Sequence, residues 1–190
     1  MASDEELARG CAAGDDRSLS ALYDRYRRPL YVYCARMLGE EQGARDAVQE
    51  VFLAACRRRA ELPRLHSVRA WLFTVARNRC LSVLRAARPR ESLGEELEAA
   101  GGTPSDELQA EEEVRLVRQA LGRIPPELRE TVVLREYLDL SYREIAAVLE
   151  ATEGAVKSRL FKARQALRAQ LEGTLNQGGP PCGANSSSSN

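Results

Sequence analysis

The sequence predicts an all-α protein of two small helical domains joined by a linker, the C-terminal one carrying a helix-turn-helix. Three observations predict it. Ala, Leu, Arg and Glu dominate while aromatics reach only 5%, a composition that favours helix over strand. Apolar residues recur at helical spacing between breaks made by Gly, Pro and small polar residues. An acidic, glycine-containing stretch separates two basic blocks. With 190 residues, 44% of them hydrophobic, the chain can fill one medium core or two small ones.

The elements follow in order. Ser3-Asp4-Glu5-Glu6 is a capping box that opens a short helix ending near Gly14. A second helix runs from about Ser18 to Leu38 and stops at Gly39. A third covers roughly Glu40 to Arg59. Glu61 to His66 reads as a loop, because Pro63 disfavours helix before it. A fourth helix starts after Ser67 and reaches about Arg88, ahead of Pro89. Residues 91–104 read as an acidic flexible linker. Helix resumes after Pro104, pauses at Ile124-Pro125-Pro126, and continues from Glu127 to Tyr137. Ser141-Tyr142-Arg143-Glu144 is a second capping box, opening a helix to about Leu149. Thr152 then caps a last helix to about Leu171. Residues 173–190 are Gly, Pro, Asn and Ser in the main and read as a disordered tail. Limited proteolysis should therefore cut first within 91–104 or after Gly173.

The zero net charge hides an uneven distribution. Residues 1–90 hold 17 Arg and 11 acids, 91–113 hold 9 acids and no base, and 114–190 hold 11 bases and 8 acids. Two basic blocks suit a polyanion partner, although solvated helix faces produce the same bias. No apolar run exceeds six residues, far below the roughly 20 that span a bilayer. The acidic start, Ser3 to Glu6, differs from the basic opening of a secretory signal. The expectation is a cytoplasmic protein with no membrane contact of its own. Cys11, Cys34, Cys56, Cys80 and Cys182 include no CxxC pair, and His66 is the only histidine. No metal and no cofactor is expected. The thiols read as reduced, the first four mostly semi-buried. No GxxxxGK string and no nucleophile arrangement around His66 argues for an enzyme.

The last two helices carry the sharpest signal. A helix of about nine residues, a break of about three and a basic helix make a helix-turn-helix. Val156, Leu160, Ala163, Leu167 and Leu171 form one stripe, expected to pack on Ile145, Val148 and Leu149. Opposite lie Lys157, Ser158, Phe161, Lys162 and Gln165. An exposed Phe among Lys and Ser suits contact with base edges, or else packing on a neighbouring domain. On the third helix, Ala44, Val48, Val51, Phe52 and Ala55 form a core arc. Across from it, Leu53 stands among Asp46, Gln49 and Glu50, an apolar centre with a polar rim. On the fourth, Val68, Trp71, Leu72 and Val75 share one side, and Thr74, Arg77, Asn78 and Arg85 another. That arc, after a Pro-containing loop, suits single-stranded nucleic acid, with Trp71 either stacking on a base or simply filling core.

Taken together, the strings Leu22-Tyr23-Asp24-Arg25-Tyr26, Asp46-Ala47-Val48-Gln49-Glu50-Val51-Phe52, Ala70-Trp71-Leu72 and Ala76-Arg77-Asn78 resemble the extracytoplasmic-function (ECF) group of bacterial sigma factors. So do Ile124-Pro125-Pro126-Glu127-Leu128-Arg129, Ser141 to Ala146, and Glu153 to Leu160. The resemblance covers about residues 15–171. It implies a non-enzymatic transcription initiation factor with 1–90 as sigma domain 2, 105–172 as sigma domain 4, and core RNA polymerase (β′ clamp helices, β subunit) and promoter DNA as partners. An anti-sigma factor is a further implied partner. Carried over residue by residue, Asp46, Gln49 and Glu50 belong to the polymerase face, to which the wheel adds Leu53. His66, Ser67, Trp71, Arg77 and Asn78 belong to minus-ten recognition and melting. Lys157, Ser158, Phe161 and Lys162 match positions of minus-thirty-five recognition, and Arg159 and Arg164 on the same helix complete that candidate set. The rival reading is a stand-alone helix-turn-helix regulator, which would not bind core polymerase.

Overall fold

The computed structural model describes residues 2–87 and 106–177. The linker expected at 91–104, Cys182 and most of the expected tail lie outside the described residues. Eight helices are present among the described residues: α1 (Asp4–Ala12), α2 (Asp16–Leu38), α3 (Glu41–Arg57), α4 (Val68–Ala87), α5 (Asp106–Arg123), α6 (Pro126–Val132), α7 (Tyr142–Leu149) and α8 (Glu153–Gln177). A 3-10 turn, Leu62–Arg64, leads into α4, and a single π turn, Val133–Tyr137, follows α6.

Local chemistry explains most of the boundaries. Ser3 and Glu6 exchange both bonds of a capping box at α1, and Ser141 and Glu144 do the same at α7. Asp15 accepts from the amides of Arg17 and Ser18, so α2 starts two residues ahead of the expected Ser18. Gly39 ends α2 in the left-handed region at φ 80°, which costs glycine nothing. Pro126 occupies the first turn of α6, where its missing N–H is harmless. Ser141→Ala should cost about 1 kcal/mol. In a chain of this size that lowers Tm by roughly 2–4 °C, as read by thermal circular dichroism.

Three details differ from expectation. The segment Glu127 to Tyr137 is not one α-helix, because the chain widens into the π turn after Val132. The turn closes through the Leu140 amide on the Leu134 carbonyl, with Asp139 left-handed at φ 48°. The last helix passes Leu171 and Gly173 and runs to Gln177. One interior glycine costs about 1 kcal/mol relative to alanine, too little to end a helix that its neighbours sustain. Cys56 is exposed, whereas Cys11, Cys34 and Cys80 are buried.

α1 to α4 build the N-terminal half around Leu22, Leu30, Tyr33, Met37, Val51, Leu72 and Phe73. The Tyr33 and Phe73 rings meet edge to face at 5.8 Å, an arrangement worth about 0.5–1.5 kcal/mol beyond area burial. Asp4 ties α1 to Arg25 and Tyr26 of α2. In the C-terminal half, Leu121, Ile124, Val132, Leu160 and Ala163 form a separate small core. The apolar stripe of α8 is therefore divided. Val156 joins Ile145, Val148 and Leu149 as expected, while Leu160 and Ala163 face α5 and α6.

The two halves are not held apart. Val133, Leu134, Leu140, Ile145, Val148, Leu149 and Val156 belong to the same continuous core as the residues of α1 to α4. α7 lies on α4, and the π turn lies against α2.

Candidate polymerase and nucleic-acid interfaces

α3 buries Ala44, Ala47, Val48, Val51, Phe52 and Ala55 on one side. That leaves Asp46, Gln49 and Glu50 exposed on the other, with Leu53 among them at 39% exposure. Beside this face runs a groove of about 630 Å³ between α2 and α3, with Tyr23, Tyr31 and Phe52 on its walls and Arg27, Arg28 and Arg45 at its rim. Tyr23 is itself exposed and meets the Phe52 ring at 4.7 Å. Sequence reasoning missed this groove. Its signal was available in the spacing of Tyr23, Arg27 and Tyr31 along one side of α2, next to the α3 face.

The residues expected to read the melted strand are spread over the start and middle of α4. His66 is exposed. The Ser67 hydroxyl accepts from the Ala70 amide at 3.1 Å and so caps α4. Trp71 is half-buried against the core, with the Arg58 guanidinium 5.8 Å from its ring centroid. Asn78 is exposed. Arg77 is half-buried rather than exposed. Its Nε donates to Glu130 Oε2 at 2.8 Å and its Nη2 to Oε1 at 3.3 Å, across the boundary between the halves. Arg69, about two turns before Arg77, reaches the same way to Glu144 at 2.9 Å and to the Leu138 carbonyl at 2.9 Å.

Glu130 is fully buried. Burial pushes its carboxyl above the ordinary value, against the downward pull of Arg77 and Arg159. Burial also works against the charge on Arg77, yet the hydrogen bond and charge of Glu130 hold its guanidinium above the ordinary value. Arg129, the last residue of the Ile124-to-Arg129 string, donates to the carbonyls of Met37 at 2.7 Å, Gly122 at 2.6 Å and Ile124 at 3.3 Å. It thus places a cation at the C-terminal ends of both α2 and α5, where the helix dipoles are negative.

On α8, Lys157, Ser158, Phe161, Lys162 and Arg164 are all exposed, Phe161 at 63%. The Lys157 ammonium lies 5.6 Å from the Tyr142 ring centroid. Arg164 pairs with Glu136 at 2.6 Å. Arg159 is half-buried on the inner side of the helix, where its charge acts on Glu130. The turn before α8 passes through Glu150 in the left-handed region at φ 50°, its amide closing on the Ala146 carbonyl. Among the described residues, no group of His, Cys, Asp and Glu is arranged to hold a metal ion. No described helix is long and apolar enough to cross a membrane.

A helix-turn-helix whose last helix carries an exposed basic face, beside a second helical unit with its own exposed polar-rimmed patch, defines an all-helical protein of the DNA-binding class. The family model for sigma-70 region 2 matches residues 22–90, and that for sigma-70 region 4 matches residues 115–167. The chain is 36% identical over 168 residues to the ECF RNA polymerase sigma factor SigL of Mycobacterium tuberculosis, covering 86% of this chain and 94% of that protein. It is 34% identical over 183 residues to the RNA polymerase sigma factor CnrH of Cupriavidus metallidurans, covering 90% and 95%. Among solved structures, CnrH in complex with the cytosolic domain of CnrY superposes with a TM-score of 0.69 at 27% identity, covering 93% of this chain and 99% of that one. The chain belongs to the ECF group of RNA polymerase sigma factors. It is a subunit that joins core RNA polymerase and directs transcription initiation at promoters, and the reading as a stand-alone regulator is set aside.

Proposed function

We propose that the two halves divide this work as sigma domains 2 and 4. Residues 1–90 bind core polymerase through Asp46, Gln49, Glu50 and Leu53. They capture the melted minus-ten strand through His66, Ser67, Trp71, Arg77 and Asn78. Residues 105–172 read the minus-thirty-five duplex through Lys157, Ser158, Phe161, Lys162 and Arg164, while Arg159, on the inner side of α8, stays with the protein. The observation that supports this reading is the pair of exposed faces, on α3 and on α8, each opposite an apolar arc turned to the core. A helix with one face in the core and a basic opposite face fits a major groove. A Leu with a carboxylate and amide rim fits a protein partner.

The work requires binding and strand capture with no covalent step, and it is carried out in the cytoplasm, where the polymerase acts. The solved neighbours CnrH and RpoE are held by CnrY and by the anti-sigma factor NepR. An anti-sigma factor is accordingly the regulatory partner assigned to this chain. Run-off transcription with core polymerase, on a promoter library selected from the native genome, tests the whole reading. The full chain should direct initiation at a defined set of sites, and residues 105–177 alone should direct none.

The division also makes a simpler prediction. A glutamate-specific protease should nick the chain first within 91–104. The two halves should then still co-elute on size exclusion, because their shared core survives the cut. Separation of the fragments after nicking would contradict that core.

A further inference from the structure

Resting on the assignment of α8 to the minus-thirty-five duplex, we propose that Tyr142 is a positioning residue for sequence readout: its ring, on the first helix of the helix-turn-helix, aims Lys157 of the second at a base edge. The chain has 28 basic residues, and only Lys157 and Lys162 are lysine. Both stand exposed on α8. A lysine ammonium is a compact charge on a flexible stem, without the fixed fork of arginine. Left to itself, such a charge meets a phosphate oxygen as readily as a guanine edge, and a phosphate contact carries no sequence information. A lysine that reads sequence from this position has to be held.

Tyr142 holds it. The ring centroid lies 5.6 Å from Lys157 Nζ, inside the roughly 6 Å over which an aromatic face attracts a cation. The ring is itself fixed. Tyr142 is the first residue of α7, next to the Ser141 cap, and it is half-buried against both apolar clusters. Its place is therefore set by the packing of α7 on its neighbours. Among the described residues no carboxylate pairs with Lys157, so the ring is the contact that orients the ammonium.

The π turn completes the arrangement. Arg135 lies 5.2 Å from the same ring centroid. Its Nη1 donates to the Leu140 carbonyl at 2.9 Å, and the Asp139 carboxylate lies 3.7 Å away. The guanidinium is thus anchored where the ammonium is not. Like charges repel, so the anchored cation weakens the hold of the ring on Lys157 and leaves the ammonium able to pass to a base acceptor. Glu136, next along the turn, pairs with Arg164 at 2.6 Å. Turn and ring together order two cations of the α8 face before DNA arrives, which cuts the side-chain entropy lost on binding.

The test is transcription by core polymerase and the full chain from a randomised minus-thirty-five library at two salt concentrations, with Lys157→Ala, Tyr142→Leu and Tyr142→Phe. Circular dichroism checks that each variant is folded. Lys157→Ala should flatten base preference at one position. Tyr142→Leu should lower discrimination at that same position by about two- to fivefold, the strength of an exposed contact between a cation and a ring. It should not lower the salt slope, because Lys157 remains to meet a phosphate. Tyr142→Phe keeps the ring and should read sequence as the natural chain does. A second measurement does not depend on the folding of the Leu variant. With isotope-labelled lysine, nuclear magnetic resonance should place the Lys157 ε-methylene protons upfield of those of Lys162, in the natural chain and in Tyr142→Phe alike. If Lys157→Ala leaves preferences unchanged, the assignment of α8 itself fails. Three results overturn the positioning role and leave that assignment standing: Lys157→Ala shifts preferences while a folded Tyr142→Leu does not, Tyr142→Phe shifts them as Tyr142→Leu does, or the two lysines share one set of shifts.

Discussion

Replacing Leu53 and Glu50 together with arginine lowers affinity for core RNA polymerase by at least ~2 kcal/mol, about thirtyfold, without unfolding the protein. Both residues are exposed on α3, and neither contributes to the buried arc of Ala44, Val48, Val51 and Phe52. The fold therefore loses nothing that packs. A partner that covers Leu53 would lose its apolar contact and meet a desolvated cation there. It would also find a positive charge where Glu50 offered a negative one, a reversal that costs association rate as well as affinity. The check is a titration of labelled sigma factor with core enzyme, alongside a helicity measurement of the variant. Unchanged affinity of the folded variant rejects this face.

Alanine substitutions along α8 separate base reading from backbone contact. Lys157 and Phe161 are exposed in the first turns of α8, where a recognition helix meets base edges, and Phe161 points about 140° away from Val156. Losing a base contact costs roughly 1–3 kcal/mol and relaxes preference at one position. Arg164 stands nearer the flank, paired with Glu136 in the open. An exposed pair of that kind contributes about 0–1 kcal/mol, so it gives way readily to a phosphate. Arg164→Ala should weaken every promoter in similar proportion and lower the salt slope by about one. Lys157→Ala and Phe161→Ala should instead change which minus-thirty-five variants are used. The measurement is transcription from a randomised minus-thirty-five library at two salt concentrations. The opposite pattern would mean that the helix lies rotated on the DNA.

Helix existence was legible because each helix carries its own local signals. The boxes at Ser3 and Ser141 form as their sequences indicate, and so does the stop at Gly39. The buried arc of α3 follows from spacing alone. The exposure of Leu53 and Phe161 was legible for the same reason, since a wheel fixes which side of a helix lies opposite its core. The boundary between the halves was not. Arg77 and Glu130 are 53 residues apart, and a single long-range pair leaves no periodicity to detect. The wheel of α4 grouped Arg77 with Asn78 and Arg85, whereas in the fold Arg77 is drawn inward by a buried carboxylate while Asn78 and Arg85 stay in solvent. The π turn was illegible because its one extra residue per turn has no composition of its own. Division of the α8 stripe between two cores was hidden too, since a stripe states that a helix is covered but not by which neighbour.

The core shared by the two halves has a consequence for how the chain melts. Val133, Leu134, Ile145 and Val148 are buried together with residues of α1 to α4, so losing either half uncovers apolar surface on the other. Heating should therefore give one cooperative transition rather than two, with the same midpoint whether helicity or aromatic environment is followed.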